Sequence, residues 1–554
     1  MSGADRGAAE IREGVVHRLV RSICRSTSPV VAALAAVLAT GALFPVAASA
    51  EPLFVITGRG WGHGVGMSQE GAKGMALQKM TAPTILAHYY PHTRLGSIAS
   101  GTVVRVCLQA DGTALSSWTL RAVGGRLYML NGKSRSASVP AGTLVSFQVS
   151  GSGVAAFRDL DGDGTRDPGD TAVRTFPGAV VAWARVDSRH SGLMQVHGPS
   201  GPWGWKDIVW RGRVGLVPGS GSQSKELYAV NRVGMEDYLR GVVPRESPAS
   251  WPIEALKAQA IAARGYGYTE IGSPGAIYDF YCTTRAQVYN GYGRVMTKGI
   301  DRHEEDSTDR AVASTAGQVV LYGKKVITAF FFSTSGGRTE NIENVWTGSA
   351  PAPYLVSVPD PYEAATAPRH VWNETPTFGA TALRSVLSSA GVAVPKTLVD
   401  VVATRRGGSD RVTRLLLKGA DSDDTVLDGG SAVARFRAAL GLWDTWFYVS
   451  DATVAAPHSV VSGRPFTITV NVAPVPKNRT VVTVRYGDAR KGKLPGIASG
   501  RLRNGTVTLT LPGRWKATDV LVLSGTKGTA AYWVSPRATV NVTPVSEATA
   551  LAQP

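Results

Sequence analysis

The feature that most constrains the fold is a run of short apolar segments separated by glycine-rich turns over residues 98–222. Val103–Val106 and Leu144–Phe147 are two such segments. Strands bounded by turn residues predict an antiparallel sheet. The chain contains 63 glycines and 31 prolines among 554 residues without a fixed period, so collagen-like repeats and simple linker arrays are excluded.

Helices are predicted on either side of this β-rich segment. Ser68 is a natural N-cap for a helix from about Gln69 to Met80. Ser250 is the predicted cap of a second helix, with Pro252 in its first turn. Apolar residues then recur at helical spacing: Ile253, Leu256, Ala260 and Ala263.

These patterns predict an α+β fold, in which a mixed helix and antiparallel-sheet domain carries a β-rich subdomain. From Asp451 onward the sequence pattern changes to short segments in which apolar and polar residues alternate, such as Phe466–Val470 and Thr506–Leu511. We expect these segments to form a separate C-terminal all-β sandwich.

The first fifty residues have the composition of an export signal. Arg18, Arg21 and Arg25 precede an apolar run over residues 30–44, and Ala-Ser-Ala follows at residues 48–50. A basic region, a short apolar region and a small-x-small site are typical of a cleaved signal peptide. An uncleaved N-terminal anchor is the alternative, and in both cases the bulk of the chain is exported.

The charge balance favours anionic partners. Lys and Arg number 59 against 41 Asp and Glu, which gives a formal net charge of +18. Outside the cell such a surplus argues against nucleic acid and for envelope polymers. Apart from the signal segment, no integral membrane segment is expected.

Glu246 is the first residue that invites a chemical interpretation. It lies between Pro244 and Pro248, which predicts a rigid turn between two helices. Burial near Val243 and Trp251 would raise the pKa of this carboxyl, as a general acid requires. An ordinary solvated loop glutamate is the alternative.

A glycine loop with a histidine follows the first predicted strand. Residues 58–66 read Gly-Arg-Gly-Trp-Gly-His-Gly-Val-Gly and are not a dinucleotide-binding motif. Closely spaced glycines let backbone N–H groups approach a ligand, and His63, Ser68 and Gln69 would line that loop. A tight structural turn is the alternative. A hydroxyl-rich turn at residues 333–340 is likewise either a polar wall for sugar or peptide groups or a plain hairpin turn.

An acidic loop at residues 159–170 has the spacing of a calcium site. Gly164 stands at position 6, but no long helices flank the loop, so a complete EF-hand is not expected. The alternative is an acidic turn. The predicted calcium ligands occupy positions 1, 3, 5, 9 and 12: Asp159, Asp161, Asp163, Asp167 and Asp170.

Zinc is not expected from the histidines or cysteines. Pro91 separates His88 from His92, so they do not share a helical face. Cys107 and Cys282 are not in a Cys-x-x-Cys motif, and one disulfide between them is an open alternative.

Several of these blocks together resemble one known family, that of stage II sporulation protein D and the amidase enhancers. The resemblance rests on residues 60–69, 234–243, Glu246, 250–264, 287–291, 333–337 and 339–340. It implies peptidoglycan as substrate, lytic transglycosylase activity and Glu246 as the catalytic acid and base. No organic cofactor is implied.

The resemblance also implies which residues surround the substrate and where the chain departs from its relatives. In many relatives the glycine–histidine block follows the rest of the domain, whereas here it comes first. Relatives carry two cysteines before the Gln-Val-Tyr block, but only Cys282 is present here, so a structural zinc is not expected. The expected substrate-binding residues are His63, Ser68, Gln69, Gln259, Arg264, Gln287 and Ser335.

The resulting expectation is an exported, cell-wall-associated lytic transglycosylase. A non-catalytic enhancer of an N-acetylmuramoyl-L-alanine amidase is the alternative, and a structural adhesin is a third class. The predicted segments are a signal peptide (1–50), the glycine–histidine segment of the catalytic domain (51–97), the β-rich subdomain (98–222), the main catalytic part (223–450), the C-terminal sandwich (451–545) and a tail (546–554).

Overall fold

The computed structural model describes residues 52–132, 135–187, 192–272, 276–372 and 376–455, and shorter segments between 459 and 543. The predicted signal segment and the predicted tail lie outside the described residues. Helices and mainly antiparallel sheets are mixed along the described chain, which confirms the α+β class. Within the same residues no helix has the length and apolar character needed to cross a membrane.

Two large sheets form the β-rich part of the molecule. The first, fully antiparallel, has the strand order Thr171–Phe176, Gly153–Arg158, Val145–Ser150, Ser117–Val123, Leu193–His197, Ile208–Trp210, Gly293–Met296, Gly299–Arg302. The second has the order Phe280–Tyr281, Val103–Cys107, Leu227–Gly234, Arg213–Pro218, Val180–Arg185, Arg126–Asn131, Arg135–Val139. Within this second sheet, the short strand Phe280–Tyr281 pairs in parallel with its neighbour, and the other strand pairs are antiparallel.

The inner faces of these sheets share one apolar core, in which Trp118, Phe147 and Trp210 are buried. Leu239 and Val243 extend the same core from a neighbouring helix. Alternation of apolar and polar side chains along each strand produces one face for the core and one for water. The helix that ends at Glu246 is therefore packed directly on the β-rich part.

The described helices are Gln69–Leu77, Ala82–Tyr89, Met235–Glu246, Ile253–Thr269, Asp306–Ser314, Ile342–Val345, Ala380–Ser389 and Gly430–Ala439, with a 3₁₀ turn at Gly221–Gln223. Ser68 caps the first of them, as predicted, because its hydroxyl accepts a hydrogen bond of 3.0 Å from the amide of Gly71. That helix ends three residues before the predicted Met80.

The predicted turn at Glu246 is wrong. The helix Met235–Glu246, named here the Glu246 helix, continues through Pro244 to its last residue. A proline in the final turn removes only one backbone hydrogen bond, and the amide of Ser247 still donates to the carbonyl of Val243 at 2.9 Å. Glu246 is therefore held by helical geometry rather than by a loop.

The helix Ile253–Thr269, named here the central helix, is buried on nearly all sides. Ala260 and Ala263 face the core of the two large sheets, whereas Ala258 and Ile261 face a second core. Small side chains allow both sides to pack closely. Pro252, and not Ser250 as predicted, is the N-cap residue, and no side chain caps this helix.

The remaining sheets are smaller. They comprise Lys325–Val326, Gln318–Tyr322, Arg94–Ser97; a parallel pair, Met67–Ser68 with Phe331–Phe332; and Leu398–Arg406, Val412–Gly419, Thr425–Asp428. A five-stranded sheet has the order Thr377–Gly379, Leu53–Gly58, Phe447–Ala455, Phe466–Ala473, Thr506–Leu511. Further C-terminal strands are Ser459–Val461 with Asn541–Thr543, and Gly496–Arg501, Val481–Asp488, Asp519–Gly525, Ala538–Thr539.

The five-stranded sheet joins distant parts of the chain. Strand Leu53–Gly58 pairs with strand Phe447–Ala455, which pairs with Phe466–Ala473. The predicted boundary at residues 450 and 451 falls inside strand Phe447–Ala455. The C-terminal sandwich as a separate unit stays a prediction.

A buried ion pair next to strand Val412–Gly419 packs against the glycine loop, residues 58–66. The Arg411 guanidinium forms two hydrogen bonds of 2.8 Å with the carboxylate of Asp444, and both side chains are almost fully buried. Arg411 also donates to the carbonyl of Ser335 at 3.0 Å. Gly64 has φ +87°, and a Cβ there would overlap the Arg411 guanidinium, so glycine is required where the loop meets this cation.

Arg411→Met should destabilise the fold strongly. Removing one partner leaves the Asp444 carboxylate buried and unpaired, which costs about 3–5 kcal/mol in free energy of unfolding. Arg405→Met is the matched control, because Arg405 pairs with Asp428 on the same sheet with both side chains 56% exposed. That control should change the free energy of unfolding by about 1 kcal/mol or less. Equal effects in urea unfolding of the two variants would contradict the structure.

Candidate active site

Glu246 is the last residue of its helix and is half-buried. The backbone amide of Val288 donates a hydrogen bond of 2.9 Å to Oε1 of Glu246. The side chain of Gln69 also hydrogen-bonds this carboxylate. The site therefore combines an acid on one helix with donors from two segments that are far away in sequence.

Burial raises the pKa of the Glu246 carboxyl above its usual value, because the charged form loses hydration. The hydrogen bonds from Val288 and Gln69 oppose this shift, but they do not cancel it. Among the described residues, no lysine or arginine forms an ion pair with Glu246. The carboxyl is thus suited to holding a proton at a pH where an exposed glutamate has lost it.

Two glutamines continue the site inward from Glu246. Nε2 of Gln69 donates to Oε1 of Gln259 over 3.4 Å, and both side chains are buried. Nε2 of Gln259 has no hydrogen-bond partner in the described part of the chain. Gln259 therefore orients the amide of Gln69, and its own NH₂ group is not used in a hydrogen bond within the described residues.

Gln287 fixes the segment that carries the Val288 amide. Its Oε1 accepts a hydrogen bond of 2.9 Å from the hydroxyl of Tyr238, and its Nε2 donates to the carbonyl of Ala263 at 3.1 Å. Gln287 is buried. The residue predicted to contact substrate thus holds the neighbouring amide in place, and it is bonded to both the Glu246 helix and the central helix.

Arg264 is fully buried and does not reach the Glu246 carboxyl through any described contact. Its Nε and one terminal nitrogen form hydrogen bonds of 3.0 and 2.6 Å with the two oxygens of Glu236. It also donates to the carbonyl of Gln318 at 3.0 Å. Arg264 therefore joins the central helix to the start of the Glu246 helix.

His63 uses both ring nitrogens inside the protein. Nδ1 accepts a hydrogen bond of 3.1 Å from the amide of Val65, so Nε2 carries the proton and donates to the carbonyl of Phe331 at 3.0 Å. Burial lowers the pKa of His63 to about 3. The ring lies against Phe332 and Trp346, with centroid distances of 5.4 and 5.1 Å. A neutral His63 thus holds the glycine loop to the strand Phe331–Phe332.

Ser68 and Ser335 meet at the buried carboxylate of Glu363. The Ser68 hydroxyl donates to Glu363 Oε2 at 2.8 Å, and the amide of Ser335 donates to the same oxygen at 2.7 Å. The amide of Gly336 and Nδ1 of His370 bind the other oxygen at 2.6 and 2.9 Å. Neither serine has exposed surface. Both therefore anchor the glycine loop and the turn at residues 333–337 rather than line an open surface.

Local sequence patterns gave no signal for Glu363. Its partners Ser68 and Ser335 are 295 and 28 residues away in sequence. The hydroxyl-rich turn at residues 333–340 was interpreted as a polar wall or a hairpin turn, and neither interpretation predicted a buried carboxylate there. Arg411 and Asp444 escaped sequence reasoning for the same reason.

Of the predicted site residues, Gln69 and Gln259 form one hydrogen-bonded chain with Glu246, and Gln287 holds the segment whose Val288 amide binds Glu246.

Comparison with known proteins finds similarity in the part of the chain that carries Glu246. The family model described as Stage II sporulation protein matches residues 223–322. Glu246, Gln259, Arg264 and Gln287 lie inside that segment, and the resemblance read from the motifs is confirmed there.

Three relatives carry the two names of this family. A 122-residue segment is 42% identical to the amidase enhancer of Bacillus subtilis (strain 168) and covers 22% of this chain and 15% of that protein. A 145-residue segment is 39% identical to stage II sporulation protein D of the same organism and covers 24% of this chain and 41% of that protein. The Bacillus amyloliquefaciens protein of that name is 35% identical over 145 residues.

The matched segments therefore span less than half of the length of these relatives. No solved structure matches the chain.

The acidic loop brings together three of its five predicted calcium ligands. Carboxylate oxygens of Asp159, Asp161 and Asp163 lie within 4.8 Å of one another. Asp170 instead accepts hydrogen bonds from the amides of Leu160 and Asp167, at 3.1 and 3.0 Å, and so closes the loop on itself. Asp167 is not part of the cluster.

The two cysteines are buried, free thiols on adjacent segments, so the disulfide that the sequence left open is not formed. Strand Phe280–Tyr281 pairs Tyr281 with Cys107, which places Cys282 next to it. Burial raises the pKa of the Cys107 thiol to about 11, and burial likewise raises that of Cys282.

Acidification should weaken the fold through His63. Its pKa is about 3 in the folded protein and 6.5 in the unfolded chain, so the unfolded state binds one more proton between these values. The free energy of unfolding should fall by up to about 1.4 kcal/mol for each pH unit below 6.5 from this group. His63→Gln should show a shallower pH dependence in urea unfolding between about pH 7 and pH 4.

His92→Gln, at an exposed position, is the control and should keep the wild-type pH dependence. A His63→Gln profile parallel to the wild-type profile would show that this ring does not stay neutral in the fold.

Proposed function

We propose that this chain cleaves the glycan strand of peptidoglycan as a lytic transglycosylase, with Glu246 acting first as acid and then as base. The observation that carries the proposal is the half-buried Glu246 carboxyl, which has a raised pKa and donors from Val288 and Gln69. A group with these properties keeps its proton to a higher pH than an exposed glutamate does and can donate it as a general acid.

In the first step, the protonated Glu246 carboxyl donates its proton to the oxygen that links two amino sugars. The bond between the anomeric carbon and that oxygen breaks, the oxygen leaves as a hydroxyl, and positive charge develops on the sugar ring. The Val288 amide and Gln69 stabilise the carboxylate that is left when the proton has moved to the glycosidic oxygen.

In the second step, the carboxylate takes the proton of the muramic acid 6-hydroxyl. The 6-oxygen closes onto the anomeric carbon and forms a 1,6-anhydro ring, and Glu246 is protonated again. Water is not consumed, so a second carboxylate acting as nucleophile is not needed. Glu236, another acid on this helix, is occupied by Arg264.

The proposed setting is the cell wall, outside the cell, after removal of residues 1–50. Residues 1–50 hold five basic and three acidic side chains, so the chain without them has a formal net charge of +16. This charge would hold it near anionic wall polymers in a salt-dependent way. In this arrangement the β-rich part at residues 98–222 is a subdomain of the catalytic unit. The C-terminal strands would be a wall-binding or spacer module.

A second function is favoured by the similarity to the amidase enhancer. In that case the chain would bind the wall and stimulate a partner amidase without cleaving glycan itself. The buried hydrogen bonds of Ser68, Ser335 and Arg264 would serve such a scaffold equally well, whereas the raised pKa of Glu246 would have no role in it.

Glu246→Gln should lower the rate at which 1,6-anhydro-muramyl ends are released from purified glycan strands by about 10²-fold or more. The released ends are measured by mass spectrometry. The amide keeps the shape of the carboxyl but cannot transfer the proton. The wild-type rate should fall as pH rises above the raised pKa of Glu246, because the acid form is required.

Glu270→Gln is the matched control. Burial raises the pKa of Glu270 as well, but this residue lies at the end of the central helix. It should keep wild-type activity. If wild type and Glu246→Gln are both inactive but stimulate an amidase equally, the enhancer function is correct and the glycan-cleaving function is wrong.

We also propose that the acidic loop binds Ca²⁺ through Asp159, Asp161 and Asp163, whose oxygens already cluster. Occupation should raise the melting temperature when Ca²⁺ is added, and Asp161→Asn with Asp163→Asn should remove that rise. Mg²⁺ is the control ion, since its smaller octahedral shell suits this loop poorly. An equal response to both ions, or to neither, would refute a calcium site.

A further inference from the structure

Two tryptophans are exposed side by side on the β-rich part. Trp203 and Trp205 lie on the loop of residues 198–207, named here the tryptophan loop, between strands Leu193–His197 and Ile208–Trp210. They are 42% and 37% exposed, and their rings stack with centroids 4.9 Å apart and an interplanar angle of 29°. Adjacent exposed aromatic rings of this kind are a feature of interaction surfaces, whereas single exposed apolar side chains are common everywhere.

The tryptophan loop is held in place by its own backbone contacts. The amide of Ser200 donates to the carbonyl of Trp205 at 2.9 Å, and Nε of Arg294 donates to the carbonyl of Lys206 at 3.1 Å. The Arg294 guanidinium lies 5.7 Å from the centre of the Trp205 ring. At its end, Asp207 binds Nδ1 of His197 at 2.6 Å. The two rings are thus presented on a fixed platform.

The tryptophan loop is connected to the segments around Glu246 through His303. The ring of Trp205 is 5.8 Å from that of His303. His303 is buried, donates from Nδ1 to the carbonyl of Asn290 at 2.8 Å, and accepts at its own carbonyl from Arg245 at 3.0 Å. Arg245 precedes Glu246, and Asn290 follows Val288 by two residues. The tryptophans therefore lie beside the same segments that hold the carboxyl.

A cavity of about 340 Å³ borders the tryptophan loop at Gly198, Pro199 and Lys206. Ser116, Ser117, Thr119, His197 and Lys206 contribute to its lining, as does the acidic loop through Asp163. The Lys206 ammonium forms no ion pair within the described residues. Hydroxyl groups and a free cation beside an aromatic platform suit a polar, anionic ligand rather than an apolar protein surface.

We propose that the tryptophan loop is a second glycan-binding subsite, at which a sugar ring of the strand stacks on Trp203 and Trp205. The carboxylate of an N-acetylmuramic acid residue would approach Arg294 or Lys206, which supply the complementary charge. This inference rests on the proposed function for its ligand. It adds a surface that positions the strand away from the cleaved bond.

The test uses the full chain with Glu246→Gln, so that bound strands are not cut. Trp203→Ala with Trp205→Ala should weaken binding to insoluble, protein-free peptidoglycan by about tenfold, as truncation of exposed aromatic anchors does elsewhere. Trp203→Phe with Trp205→Phe should recover most of the binding, because the flat rings remain.

Trp183→Ala is the matched control. Trp183 is half-buried on the other large sheet, stacks on Tyr128 at 5.7 Å and lies under Arg213 at 5.2 Å. It should bind glycan like the parent. Unchanged binding in the Trp203 and Trp205 double variant, or an equal loss in Trp183→Ala, would overturn the subsite.

The subsite and the proposed reaction fail separately. If the wild-type chain releases no anhydro ends but the double alanine variant loses glycan binding, catalysis is wrong and the subsite stands. If cleavage occurs and the double variant binds glycan as tightly as its parent, the reaction stands and the subsite is wrong. A double variant that binds an amidase less well, with glycan binding intact, would instead make the platform a protein-binding surface and refute the proposal.

Discussion

The buried carboxylate of Glu363 is the interaction on which the rest of the site depends. It binds the hydroxyl of Ser68, two amides of the turn at residues 333–337 and the ring of His370. A buried anion is stable only when such donors surround it. Because Ser68 also caps the helix Gln69–Leu77, the same carboxylate sets where that helix begins. Gln69 is its first residue, so the position of Gln69 beside Glu246 follows from a contact made elsewhere.

The chemistry proposed for Glu246 depends on the absence of a paired cation at its carboxyl. Arg264 and Arg411, two buried cations near the site, are both paired with other acids, Glu236 and Asp444. The pKa of Glu246 is therefore set by burial, which raises it, and by hydrogen bonds from uncharged groups, which lower it by less. If a cation had been placed at the carboxyl, the same burial would have produced a permanently charged group without use as an acid.

Sequence reasoning succeeded where the cause was local and failed where it was distant. The Ser68 cap was predictable because a hydroxyl and the amide three residues later decide it. The catalytic role of Glu246 stays a prediction. The turn predicted for it was wrong, because tertiary packing of Val243 and Leu239 carries the helix past Pro244. The partners of His63 and Glu363 lie 268 and 295 residues away, so local patterns could not show that these groups are already occupied. The acidic loop was again local, and three of its carboxylates do cluster.

The central claim is that the fold raises the pKa of the Glu246 carboxyl by burying it without a countercharge. Its pKa can be measured directly by NMR titration of protein labelled with carboxyl-¹³C glutamate, in which the Glu246 signal is assigned by its absence from Glu246→Gln. The account predicts a midpoint above the ordinary glutamate value of 4.5. A midpoint at or below that value would contradict it, because such a group would be a structural anion and not an acid catalyst.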